Sequence, residues 1–129
     1  MTDQRSERPA ARIVLDVDYR DGAFELVLAN IGDDVAHDIR VDFSRKLIGA
    51  DDTVVSALPV FQQLRTLRPG KEIRVFLDAA PGLFRRRKIN TFTATVVWSG
   101  GTRSKQKARY RHDLDAYRGM PEIVVRHER

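Results

Sequence analysis

The sequence predicts an all-β chain, an immunoglobulin-like antiparallel β-sandwich of seven to eight strands. Short runs such as Phe24 to Ala29 and Val35 to Phe43 alternate apolar with polar residues, so each has one face for a core and one for water. Turn-forming residues recur about every ten positions, the spacing of a sandwich. No stretch carries a sustained helical pattern. At 129 residues one domain is expected, and a chain of this size buries roughly two thirds of its unfolded surface. With no cysteine there are no disulfides and no thiolate metal sites.

Residues 1–11 are polar and are expected to be disordered. Arg12 to Tyr19 alternates, with Ile13, Leu15, Val17 and Tyr19 on one side. Asp21-Gly22 then marks a two-residue hairpin, because a type I′ turn needs positive φ at both positions. That loop sets Tyr19 against Phe24, Val17 against Leu26 and Leu15 against Leu28, so turn chemistry and hydrophobic pattern agree. On the outer face it opposes Asp18 and Glu25, a like-charge pair with a small cost. Asn30 to Asp34 is the next turn. The third strand, Val35 to Phe43, places His37, Ile39, Val41 and Phe43 inward and Asp38, Arg40 and Asp42 outward.

Residues 44–69 read as irregular. Their apolar piece Val54 to Phe61 is an edge strand or a bulged segment, since Pro59 cannot donate to a ladder. Leu64, Leu67 and Pro69-Gly70 lead into Lys71 to Asp78, where Ile73, Val75 and Leu77 share a face and Phe76 points outward. Pro81 to Phe84 is a turn before the basic run Arg85 to Lys88. Asn90 to Trp98 buries Phe92, Ala94, Val96 and Trp98, leaving Val97 outward, and Ser99 to Thr102 is a hairpin. Arg103 to Arg111 follows, with Ser104, Gln106, Ala108 and Tyr110 on one face. A two-residue loop at Gly100-Gly101 would set Val96 against Lys105 and put charge into the core. An odd-length loop sets Val96 against Gln106 and Phe92 against Tyr110, and is the expectation. Strands 12–20, 23–31 and 71–78 are assigned to one sheet, and 35–43, 90–98 and 103–111 to the other. The sandwich spans 12–114. A polar tail occupies 115–129, with a helical turn at Asp115 to Arg118.

The pattern Leu26-x-Leu28-x-Asn30-x-Gly32-x-x-x-Ala36-x-Asp38-Ile39-x-Val41-x-Phe43, followed by Leu67-x-Pro69-Gly70 before a strand, resembles bacterial immunoglobulin-like modules. It is similar to the cell-adhesion-related domains of the CARDB type over roughly residues 12–112. The resemblance implies a spacer or protein-binding module with no shared catalytic residues. The motifs are those of turn and core, and fold alone does not carry function.

Net charge is +5, unevenly spread: residues 1–64 hold 7 Lys/Arg against 12 Asp/Glu, and residues 65–129 hold 16 against 6. The split marks either a basic binding surface or two sheets of opposite sign that attract each other. Its sharpest expression is Arg103, Lys105, Lys107, Arg109 and Arg111, five cations on one face of one strand, about 6.8 Å apart. The odd-loop register sets them beside Thr91, Thr93 and Thr95. Asp38 and Asp42 are close enough in the expected sheet to neutralise part of the stripe, and Arg85 to Lys88 lie toward one end. Three readings compete: a solvated edge that repels stray strands, a surface for an acidic protein, and a surface for nucleic acid or anionic lipid. Phe92, Trp98 and Tyr110 fall on the core face, so no aromatic platform supports stacking on single strands.

Catalytic and metal chemistry find little support. His37 reads as a hydrogen-bonded structural histidine, His112 ends the last strand and His127 lies in the tail; no two have metal-ligand spacing. No serine sits in a Gly-x-Ser-x-Gly elbow. Asp33-Asp34 and Asp51-Asp52 lack a calcium-loop order, and turn chemistry accounts for them better. The expectation is a non-enzymatic protein-interaction or scaffolding module without cofactor or metal. Its partner is another protein, and nucleic acid or an anionic surface is the alternative. No apolar run approaches the roughly 20 residues of a membrane span, and no signal peptide is visible. As given the chain is read as cytoplasmic, or as a piece of a larger protein.

Overall fold

The computed structural model describes residues 10–86, 90–100 and 104–118. Two antiparallel sheets pack face to face. β1 (Ile13–Arg20), β2 (Ala23–Asn30) and β5 (Glu72–Ala79) form one, in that order. β4 (Leu64–Leu67), β3 (Ala36–Phe43), β6 (Thr91–Ser99) and β7 (Lys105–Asp113) form the other, in that order. The chain changes sheet after β2, β4 and β5, the Greek-key path of an immunoglobulin-like sandwich. The sheet assignments read from the sequence hold, and β4 adds a short edge strand beside β3.

Ile13, Leu15, Phe24, Leu26, Leu28 and Leu77 come from one sheet and Ile39, Val41, Ala94, Val96 and Trp98 from the other, all buried. Each fully buried large aliphatic or aromatic side chain contributes about 1.5–3 kcal/mol relative to exposure. The first hairpin has the expected register, Leu15 facing Leu28 and Tyr19 facing Phe24, with Asp21 and Gly22 at φ 55° and 74°. Asp18 does face Glu25, yet the repulsion is removed from the next strand. The Arg74 guanidinium of β5 donates to Asp18 at 2.7 Å, Glu25 at 2.9 Å and Glu72 at 2.8 Å. These hydrogen bonds, the one to Asp18 foremost, hold the Arg74 pKa above its ordinary value.

Asn30 organises the turn into β3. Its Oδ1 accepts from the backbone N–H of Arg12 and Gly32, and its Nδ2 donates to the carbonyls of Asp34 and Leu67. Gly32 is required by close approach: a Cβ there would sit 2.1 Å from the Ala10 carbonyl oxygen.

Several expectations are corrected. His37 does not face the core. A β-bulge between His37 and Arg40, with Asp38 at φ 51°, shifts the alternation, so Ala36 and Ile39 are buried and His37 is exposed. Aspartate tolerates that left-handed conformation. Val54 to Phe61 is not a strand. It forms a 3-10 turn at Val55–Ala57 and then a short helix α1 (Pro59–Gln62), in which Pro59 takes the first turn, where no intrahelical N–H bond is lost. Phe61 is buried and meets Phe43 edge-on at 5.1 Å. The β6–β7 register is displaced by two residues: Val96 faces Ala108, Trp98 faces Gln106 and Phe92 faces His112. The parity is as expected and no charge enters the core. The connection between Ser99 and Lys105 is simply longer than read, because the strands stop pairing earlier.

Pro81 to Phe84, read as a turn, lies within helix α2 (Ala80–Arg86). At its end Arg86 donates to the buried carboxylate of Asp78 and reaches Asp52 at 4.0 Å. After β7, a 3-10 turn at Leu114–Tyr117 brings Tyr117 onto Tyr19 (5.1 Å) and Phe24 (5.7 Å), and Arg118 stacks 4.5 Å from the Phe84 ring. A hydrogen bond from Asn90, then Arg118, lowers the Asp115 pKa. Residues 1–9, where disorder is expected, and 119–129 lie outside the described residues. So do Arg87, Lys88, Arg103 and His127.

Candidate binding face

The stripe is built by strand period. Along β7 the residues Gln106, Ala108, Tyr110 and His112 turn toward the sandwich, and Lys105, Lys107, Arg109 and Arg111 turn outward, all four exposed. Pairing with β6 sets Lys105 beside Ser99, Lys107 beside Val97, Arg109 beside Thr95 and Arg111 beside Thr93. Beyond β6, Arg40 flanks Val97 and Asp42 flanks Thr95. The outer face of β3, β6 and β7 is therefore a shallow field of cations and threonines with one valine, Asp42 on β3 and Asp113 at the far end of β7.

Its electrostatics differ from expectation. Asp42 pairs with Arg40 of its own strand at 3.1 Å and not with the stripe. Among the described residues no acidic side chain lies within ion-pairing distance of Lys105, Lys107, Arg109 or Arg111. Arg85 and Arg86 do not extend it either, since α2 packs against β5 and Arg86 is held by Asp78 and Asp52.

The backbone of β7 points the same way as its charges. Gly100 N–H donates to Ser104 O (3.3 Å) and Leu114 N–H to Asn90 O (2.9 Å), which fixes the phase of the ladder. Hydrogen-bonded pairs alternate in an antiparallel ladder. The bonded pairs between β6 and β7 are thus Trp98 with Gln106, Val96 with Ala108, Ala94 with Tyr110 and Phe92 with His112. The N–H and C=O groups of Lys105, Lys107, Arg109 and Arg111 are turned to the open edge.

On its inner side β7 reaches across to β1. Tyr110 donates its hydroxyl to the Ile13 carbonyl at 2.7 Å, and His112 Nε2 lies 2.8 Å from the Leu15 carbonyl. A carbonyl only accepts, so Nε2 is the donor in this contact. Burial pushes the Tyr110 pKa up, and Arg12 opposes it weakly. These two residues were read only as strand-face and strand-end positions. Their role was invisible in sequence, because it depends on which strand of the opposite sheet lies over them.

The bulge at His37 and Asp38 opens a second feature the sequence reading missed, a solvent-open depression lined by His37, Asp38, Gln63, Arg65, Thr66 and Ser99. An adjoining one borders Arg40, Val97 and Lys105. The one sequence sign was the three-residue spacing of Ala36 and Ile39, which breaks the period of two. No cluster of three or more His, Asp or Glu among the described residues is placed to hold a metal ion. No helix among them is long and apolar enough to cross a membrane.

The family model described as "Domain of unknown function (DUF8453)" matches residues 1–118. No curated protein and no solved structure matches the chain with significance.

Proposed function

The chain belongs to the DUF8453 family, and we propose that it is a non-enzymatic interaction module that holds an acidic partner protein on the outer face of β7. The observation behind this is the contrast between the two sheets. On the three-stranded sheet the outward carboxylates of Asp18, Glu25 and Glu72 all converge on Arg74, and Arg20 reaches Glu25 at 3.5 Å. On the four-stranded sheet Lys105, Lys107, Arg109 and Arg111 stand exposed and unbalanced. Single exposed ion pairs contribute little to stability, about 0–1 kcal/mol, so the fold gains little either way. Unbalanced like charges in a row repel one another, and a complementary partner relieves that repulsion while steering association.

A second reading rests on the threonines. Thr93 and Thr95 place hydroxyls beside Arg111 and Arg109, a donor set suited to phosphate oxygens of nucleic acid or an anionic surface. The two readings separate by salt. Phosphate contacts release condensed counterions, so polyanion binding falls steeply and log-linearly with salt. A protein interface with few ion pairs shows a shallow dependence.

The test compares the full chain with its Lys105→Glu/Lys107→Glu/Arg109→Glu variant. Each is immobilised and offered nuclease-treated extract of the cells that make it, at about 0.15 M salt, where the Debye length is about 8 Å. A protein retained by the wild type and lost from the variant is the expected result. Equal retention by both overturns the proposal. In parallel, fluorescence anisotropy with a mixed DNA and RNA pool, at low and then physiological salt, tests the second reading. Micromolar binding that collapses with salt and vanishes in the variant reassigns the face to nucleic acid.

A further inference from the structure

A two-sheet sandwich has four edge strands, and each unprotected edge is a template for another strand. Here three of the four are blunted, each by a different device. β4 is four residues long. At the end of β5, Gly49 passes so close to Leu77 that a Cβ on it would lie 2.1 Å from the Leu77 carbonyl oxygen, which covers that part of the edge. Along β1 the ladder phase, set by Ile31 N–H to Arg12 O, turns the groups of Ile13, Leu15 and Val17 to the edge. There the Ile13 and Leu15 carbonyls accept from Tyr110 and His112, and Val17 N–H donates to the Asp16 carboxylate at 2.8 Å.

β7 has none of these devices. It runs nine residues. The edge-directed groups of Lys105, Lys107, Arg109 and Arg111 make no hydrogen bond with any other described residue. It also supplies, through Tyr110 and His112, the caps that close its neighbour's edge. Protection by charge requires only one well-placed lysine. Four successive outward cations do something more selective: they reject a neutral or basic strand and admit an acidic one.

We infer that the open edge of β7 is a strand-addition site, taking an extended segment of a partner protein with Asp or Glu at alternate positions. This rests on the reading of β7 as the binding face and names how the partner is held. An added antiparallel strand pairs its backbone with the edge groups of Lys105, Lys107, Arg109 and Arg111. Residues directly opposite those cations have Cβ atoms about 5 Å away, on the same outer face, where opposite charges stabilise and like charges destabilise. The intervening residues turn toward Tyr110 and His112 and must be small or polar.

Hydrogen exchange on the full chain, followed by NMR, tests this with two synthetic nonapeptides. One alternates glutamate with threonine and the other lysine with threonine. In the free protein the amides of Lys107, Arg109 and Arg111 exchange fast and those of Ala108 and Tyr110, bonded to β6, exchange slowly. With the glutamate peptide at ten times its Kd, the three edge amides slow by about tenfold and the inner ones change little; the lysine peptide has no effect. Arg109→Ala and Arg109→Pro remove the same charge, but only proline removes the edge N–H, so the proline variant loses more affinity for the glutamate peptide. Glutamate-peptide binding without slowing of the edge amides overturns strand addition while leaving an acidic partner on the face. Equal slowing by both peptides overturns the charge selection. Absence of glutamate-peptide binding, with charge-dependent capture of a protein still observed, overturns the strand-addition site alone.

Discussion

Replacing Asn30 by alanine should cost about 2.5–6 kcal/mol of folding stability. Asn30 is 1% exposed, and all four of its side-chain hydrogen-bonding positions are used, at 2.8–3.2 Å. The bond to the Leu67 carbonyl is fully buried. Losing it leaves an acceptor without water, about 1–3 kcal/mol. The bonds involving Arg12, Gly32 and Asp34 are partly buried, so water replaces them in part, and each counts about 0.5–1 kcal/mol. The loss is large against a usual total of about 5–15 kcal/mol, because these bonds tie the start of β1, the β2–β3 turn and β4 together. Urea unfolding followed by Trp98 fluorescence, the chain's one tryptophan, measures it through the shift in midpoint at constant m. Asn30→Asp is the sharper probe. It keeps both acceptors but turns a carboxylate oxygen toward the Asp34 and Leu67 carbonyls. Its native pKa is then raised above the unfolded value. The variant regains stability as pH falls, when a proton lets it donate to one carbonyl. A loss below about 1 kcal/mol for Asn30→Ala, or an Asn30→Asp variant as stable as wild type at pH 7, would refute this account of Asn30.

Two further outcomes follow from the same geometry. Gly32→Ala drives a Cβ into the Ala10 carbonyl, so residues 10–12 must move; limited proteolysis should cut there faster, with a stability loss of at least about 2 kcal/mol. Tyr110 has a folded pKa above the ordinary 10.0. The native chain thus keeps a proton that the unfolded chain gives up, and the stability this represents is intact below pH 10 and drains away as pH rises through the folded value. Tyr110→Phe removes that alkaline slope and, by leaving the Ile13 carbonyl uncapped, costs about 1 kcal/mol at pH 7; an unchanged slope above pH 10 would count against the assignment.

How far the sequence could be read depended on range. The first hairpin was legible because Asp21-Gly22 and the alternation of both strands specify the same register independently. The parity of β6 and β7 was legible for a related reason, since a slip by one residue would have buried lysines. A slip by two leaves every side chain on its proper face, so hydrophobic pattern cannot detect it, and only the loop length decides. The bulge at Asp38 was hidden because one extra residue costs the pattern a single irregularity, which a histidine near a strand end easily masks. Val54 to Phe61 failed for the opposite reason: a short apolar run argued for an edge strand or a bulged segment, while tertiary packing of Phe61 against Phe43 made a helical turn the better way to bury it. The candidate face was legible as a list of charges. What the sequence could not show was that Asp42 would turn to Arg40, and that Tyr110 and His112 would close the edge of β1.

The uneven charge of the chain is thereby explained in part without any partner, and in part not. Attraction between two sheets of opposite sign requires the charges to be near each other. The outward faces of a sandwich lie on opposite sides of the molecule. The sheets alone are about 10 Å apart, and outward side chains add to that, so the faces are separated by more than the Debye length of about 8 Å at physiological salt. Asp18 of β1 and Glu25 of β2 are paired instead with Arg74, delivered to their own sheet by β5. The cations of β7 have no such counterweight, and none is supplied by Asp42. Among the described residues nothing fixes their sign. A stripe of glutamates would guard the edge against stray strands equally well, so edge protection by itself does not account for lysine and arginine in these positions.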